Sequence, residues 1–185
     1  MPRWAIALPL LVVVAAAATA VGVITAGRSS RAASVSGGFA RVGETAPQFT
    51  SWDLNGNKVS LADFKGHPVL ITFWATWCTA CQQELPAVVQ IRDRYQAAGL
   101  KVLAVNYRET NVDRMRQYLA GLNVNLAAVT DPDGTIATAY GVDIGLPISV
   151  LLDRNGSIAQ IMIGAQSSSA LDAAVGRVAG PAPSP

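Results

Sequence analysis

Both cysteines of this chain stand in the run Trp77-Cys78-Thr79-Ala80-Cys81, after an apolar stretch and at the opening of a helical pattern. A helix turns once in about 3.6 residues, so side chains three apart fall on nearly one face. Two thiols so placed can form and break a disulfide with little backbone movement. At the first turn Cys78 faces unpaired backbone N–H groups and the positive end of the helix dipole, which favour thiolate over thiol and make it the nucleophile. Cys81 lies a turn deeper, where fewer free donors reach, and is the thiol that resolves a mixed disulfide formed on Cys78. The chemistry open to the pair is thiol–disulfide exchange.

Blander readings compete with it. A structural staple gains stability from the loop it closes, and two intervening residues close almost nothing. A zinc site calls for four nitrogen or sulfur ligands, whereas the chain offers two Cys and one His. That histidine, His67, sits in the turn Gly66-His67-Pro68, where a solvated turn residue is the ordinary reading. A bare C-x-x-C also arises by chance, but its place at a strand-to-helix junction favours redox use. No metal and no cofactor is expected beyond the redox disulfide itself.

The elements that must hold the pair are visible in the hydrophobic pattern. Val69 to Ala75 and Lys101 to Tyr107 are nearly unbroken apolar runs, as for central strands buried on both faces. Between them, residues 79–98 carry Leu85, Val88, Val89, Ile91 and Tyr95 at mostly helical spacings and end at Gly99, a crossover between parallel strands. A second amphipathic helix is predicted from Val112 to Leu122, a short strand from Asn125 to Thr130, and a short helix from Thr135 to Tyr140, closed by Gly141. Ile148 to Leu152 and Ser157 to Ile163, about Asp153-Arg154-Asn155-Gly156, carry the strongest hairpin signal. A weaker one joins Phe49–Asp53 to Lys58–Ser60, and a last helix spans about 168–179.

With 185 residues the chain has room for one folded domain, predicted over 41–180. Hydrophobic residues make up 51% and charged ones 14%, which excludes a disordered solvating protein. Lys and Arg total 14 against 12 Asp and Glu, and three of the basic residues, Arg3, Arg28 and Arg31, precede residue 40, so the domain is near neutral. No basic face exists for a nucleic acid to bind. Trp4 to Ala26 is a run of 23 residues without charge, and a bilayer needs roughly 20. Its length favours an uncleaved signal-anchor over a cleaved signal peptide, with a single transmembrane helix in residues 1–27 and the domain on the extracytoplasmic side of the cell membrane. Residues 28–40, rich in Ser, Gly and Ala, read as a flexible tether, and 181–185 as a Pro-rich tail.

Several motifs together carry a family resemblance across residues 42–179. They are Val42-Gly43-Glu44-Thr45-Ala46-Pro47-Gln48-Phe49, Phe73-Trp74-Ala75-Thr76-Trp77-Cys78-Thr79-Ala80-Cys81, Pro86, Val105-Asn106 and Gly145-Leu146-Pro147. The chain resembles the membrane-tethered redoxins of the TlpA-like and ResA-like type, with an AhpC/TSA-like domain. The resemblance implies an α/β thioredoxin-like fold: a central mixed sheet flanked by helices, with an N-terminal β-hairpin extension. It implies that Pro86 kinks the active-site helix and that Pro147 is the family's cis-proline, turning the backbone of Leu146 towards the disulfide to pair with a substrate strand. Trp77, Leu146 and Pro147 then form the substrate-binding residues. The acidic residue that many thioredoxins bury six positions before the first Cys is replaced by Thr72. Glu109 aligns with an acidic residue that ResA-like proteins place near the cysteine pair, and joins Cys78 and Cys81 as a catalytic candidate. Glu84 reads as a helix-surface residue.

The activity implied is reduction of disulfides in exported cysteine-containing proteins such as apocytochrome c, with electrons drawn from a transmembrane reductase. An extracytoplasmic oxidase of the same fold is the near alternative. A peroxiredoxin would need P-x-x-x-T-x-x-C, but Ala75 stands three before Cys78 and Ile71 seven before. A copper-binding metallochaperone of this fold carries C-x-x-x-C and a distant His, and the chain lacks that pattern.

Overall fold

A computed structural model describes residues 33–182. The expected membrane segment 1–27, the first residues of the tether and the end of the tail lie outside the described residues. Among the described residues no helix is long and apolar enough to cross a membrane.

The unbroken apolar run after Pro68 becomes β4 (Val69–Trp74), all six residues of which are buried. It forms the middle of a five-stranded sheet. β5 (Lys101–Tyr107) and β6 (Ala127–Asp131) run parallel to it, β7 (Ile148–Leu152) runs antiparallel to it, and β8 (Ile158–Ile163), antiparallel to β7, runs parallel to it again; the order across the sheet is β6-β5-β4-β7-β8. Helix α1 (Thr79–Tyr95) makes the β4-to-β5 crossover, and α2 (Val112–Gly121) the next. Two further helices follow in the chain, the short α3 (Thr135–Ala139) after β6 and α4 (Ser168–Ala179) after β8.

Alternation along β4 divides the core. Ile71 and Phe73 pack with Leu103, Val105, Val129, Ile148 and Tyr140 on one face. Leu70 meets Val88, Ile91, Tyr95, Leu171 and Val175 from α1 and α4 on the other. Further along that second face Trp74 packs with Leu85, Met115, Leu119 and both cysteines. Helices on both faces of a mixed sheet are the architecture expected from the resemblance.

The N-terminal extension is larger than the two-stranded hairpin read from residues 49–60. β2 (Gln48–Trp52) and β3 (Lys58–Ser60) pair as predicted, but Ser34–Ser36, inside the stretch read as tether, instead adds a third antiparallel strand, β1. Backbone donors and acceptors on the free edge of β2 require partners, and the Ser-Val-Ser segment supplies them. On its other side the extension covers the β6 edge: Asp53 bridges Val129, Leu54 N–H donates to Ala128 C=O at 3.2 Å, and Ser51 Oγ donates to Thr130 C=O. Both hairpin turns use one device, an Asp carboxylate accepting from backbone N–H groups two and four residues on: Asp53 from Asn55 and Asn57, and Asp153 from Asn155 and Ser157. Two short 3-10 turns, Leu61–Phe64 and Val142–Ile144, are new relative to the sequence reading.

Candidate active site

Strand β4 ends at Trp74, the chain turns through Ala75 to Trp77, and α1 begins at Thr79, so Cys78 is the helix N-cap. Its sulfur accepts from the Cys81 N–H at 3.0 Å, which satisfies one of the orphan donors of the first turn. Cys78 and Cys81 form a disulfide with their Cα atoms 5.3 Å apart. Cys78 is 6% exposed and Cys81 wholly buried, so of the two residues only the first reaches solvent. Apolar side chains pack around the pair: Trp74, Leu85, Ala104 and Met115, with half-buried Leu146 against them. Tyr118 stacks on Trp74 with ring centroids 5.6 Å apart and donates its hydroxyl to Cys78 C=O at 3.5 Å.

The other candidates converge on this end of the sheet. β7 pairs antiparallel with β4, Ile148 opposite Phe73, so the residues just before β7 lie beside the loop that follows β4. The Leu146–Pro147 peptide is cis. Trp77 is 59% exposed, its ring 6.5 Å from that of Tyr107 at the end of β5. His67 precedes β4 and so lies at the opposite end of the strand from Cys78; half-buried, its Nδ1 is 3.1 Å from Gly99 C=O.

Glu109 is held firmly. Its carboxylate accepts from Thr76 N–H at 2.7 Å, from Asn106 Nδ2 at 2.8 Å and from the Thr76 hydroxyl. It thereby ties the loop after β5 to the loop that carries Cys78.

Glu84 corrects the sequence reading. Expected on the helix surface, it is 1% exposed. It belongs to the buried stripe Cys81, Glu84, Leu85, Val88, Ile91 and Tyr95, and its side chain passes between β4, β7 and the segment before α4. Thr72 Oγ1 donates to it at 3.4 Å, Ser149 Oγ at 3.3 Å and Gln166 N–H at 3.3 Å. These bonds are long, and burial outweighs them, pushing the carboxyl from its ordinary 4.5 up to about 7. Thr72 therefore does not leave the floor beneath the cysteines without an acid: its hydroxyl holds one delivered from α1. The spacing of three from Cys81 and one before Leu85 is the signal that marks Glu84 as inward-facing.

A profile of the AhpC/TSA family matches residues 42–161. The chain belongs to that family. Thiol-disulfide oxidoreductase ResA of Bacillus thuringiensis subsp. konkukian is 34% identical over 131 residues, covering 71% of this chain and 75% of the relative. ResA of Geobacillus thermodenitrificans is 35% identical over 123 residues, covering 66% of this chain and 70% of the relative. A solved structure from Chlorobium tepidum, assigned as a DsbE-type thiol:disulfide interchange protein, superposes with a TM-score of 0.70 at 34% identity, covering 76% of this chain and 99% of that one. These matches place this AhpC/TSA-family chain among the thiol-disulfide oxidoreductases of the thioredoxin fold.

Proposed function

We propose that the chain is an exported, membrane-tethered oxidoreductase that reduces disulfides in other exported proteins, apocytochrome c among them, and is itself reset by a transmembrane thiol reductase. The observation that carries this reading is the asymmetry of the two cysteines, one at the helix start and still in touch with solvent, the other wholly buried a turn further in. In the reduced enzyme the Cys78 thiolate attacks a substrate sulfur; the substrate S–S bond breaks and the leaving thiolate takes up a proton. Cys81 then gives its proton to Glu84, whose carboxyl is poised near neutrality one turn along the same buried stripe. The Cys81 thiolate attacks Cys78, and the second substrate sulfur leaves as a thiolate. Two electrons pass to the substrate and the Cys78–Cys81 disulfide remains, the state in which the pair is found. Trp77, Leu146 and Pro147 line the approach, and Glu109 keeps the Cys78 loop in place through Thr76.

Direction follows from how far the Cys78 thiolate is favoured. Thr79-Ala80 brings no positive charge between the cysteines, so the helix start is the chief influence that favours the thiolate. The expected reduction potential lies nearer roughly −270 mV than the roughly −120 mV of a strong periplasmic oxidant. Equilibration with glutathione buffers and quantification of the disulfide measures it; a value above about −180 mV points to the oxidase instead. Fractionation tests the tether, because a soluble mature protein beginning after about residue 20 shows a cleaved signal peptide.

A further inference from the structure

Three consecutive residues, the last of β5 and the two that follow it, reach the segments on both sides of the disulfide. Tyr107 packs on Trp77, one residue before Cys78. Glu109 holds the Thr76 backbone N–H and hydroxyl. Between them, Arg108 reaches the opposite wall: its guanidinium carbon lies 5.1 Å from the centroid of the Tyr107 ring, and its Nη2 is 3.9 Å from an Asp143 carboxylate oxygen. Asp143 stands in the turn that leads directly into Gly145-Leu146-Pro147.

Arg108 occupies this place against local preference. Its φ is 54°, a left-handed backbone that a residue with a Cβ avoids. Its backbone N–H donates to Asp131 C=O at 3.0 Å, and its side chain crosses Gly134, where an added Cβ would stand 2.5 Å from Nε. Gly134, itself at a φ of 75°, leaves that path open. The return in stability is small, because both partners of the ion pair are about half exposed, with side-chain exposures of 53% and 54%. Strain kept at a cleft without a matching gain in stability points to a role in function.

We propose that Arg108 is a positioning residue for disulfide exchange: by joining the Tyr107–Trp77 wall to the Asp143–Pro147 wall, it fixes the width and register of the cleft presented to a polypeptide disulfide. The inference rests on the exchange reaction proposed above. A polypeptide must touch both walls at once, whereas a small disulfide needs only the Cys78 sulfur. Arg108 therefore governs the first and is indifferent to the second.

Arg108→Gly separates this role from a structural one, because it relieves the backbone strain while removing the strap. With the detergent-solubilised full chain, two reactions are followed, reduction of a cyclic Cys-x-x-Cys peptide disulfide and reduction of dithiobis(nitrobenzoic acid). Arg108→Gly is expected to melt no lower than wild type, to raise KM for the peptide about tenfold and to leave the small-disulfide rate within about twofold, a coupling typical of contacting residues. Asp143→Asn shifts the peptide KM in the same direction, and the double variant is no worse than Arg108→Gly alone. Arg108→Lys, which keeps the charge but not the flat guanidinium, falls between. An unchanged peptide KM, equal losses towards both disulfides, or additive effects of the two substitutions overturn the inference and leave the exchange reading standing. A wild-type chain that reduces neither disulfide overturns both.

Discussion

Replacing Glu84 with Gln isolates the buried carboxyl and predicts a stability change whose sign depends on pH. Folding moves this carboxyl from 4.5 to about 7. Between those values the folded protein holds a proton that the unfolded chain has released, so stability falls as pH rises through the window and levels off above it. At roughly 1.4 kcal/mol per pH unit the full loss is about 3 kcal/mol. Glutamine cannot ionise and reproduces the protonated acid: its amide oxygen can accept from Ser149 and Gln166, and its NH2 can face Thr72, whose hydroxyl turns to accept. Glu84→Gln is therefore expected to match wild type within about 1 kcal/mol at pH 4 and to exceed it by about 2–3 kcal/mol at pH 8. Urea unfolding of the oxidised protein at both pH values measures the difference. Asp131, raised by burial to about 6, adds a slope of the same sign to both proteins and cancels in the comparison. Equal midpoint shifts at the two pH values, or a variant less stable than wild type at pH 8, would refute the assignment of a raised, buried carboxyl. In exchange assays the same variant should slow release from the mixed disulfide while leaving attack by Cys78 intact.

Three further outcomes follow from the geometry. Cys78→Ser should abolish exchange, whereas Cys81→Ser should accumulate partners trapped on Cys78, seen as adducts on non-reducing gels that vanish with dithiothreitol; trapping by Cys78→Ser would reverse the roles. Glu109→Ala removes three hydrogen bonds to a carboxylate and strands the Asn106 amide and the Thr76 N–H; a loss of about 2–4 kcal/mol in urea unfolding is expected, together with slower exchange as the Cys78 loop loosens. Tyr140→Phe leaves the Pro47 carbonyl without its 2.7 Å buried donor while keeping both ring contacts, with Phe49 and Phe73, and should cost about 1–2 kcal/mol with no change in reduction potential.

How much of this was legible in the chain beforehand divides along the range of the interactions. Short-range patterns carried far. The apolar run 69–74, the helical spacing after Cys78 and the two Asp-x-Asn-Gly turns each encode their own backbone, and they appear within a few residues of expectation. The cysteine pair was readable for the same reason, because the helix start that differentiates its members is made by the residues beside it. Gly145-Leu146-Pro147 was reachable only through the family resemblance, since nothing within those three residues says that β7 will pair against β4 and bring them to the disulfide.

Glu84 and β1 show what the sequence by itself left open. On an isolated α1, Glu84 is one polar residue among Gln82, Gln83 and Arg92, and its burial exists only because Ser149 from β7 and Gln166 before α4 close over that side of the helix. Ser34–Ser36 has weak strand character, and it is a strand because β2 offers an unpaired edge. In both cases the deciding energy, desolvation of a carboxyl or satisfaction of backbone donors, is set by partners distant along the chain. The sequence by itself determined the exchange chemistry and the strand–helix frame that holds it. Tertiary structure alone decided which acid of α1 is buried and what closes over it, because burial belongs to the assembled packing and not to any one segment.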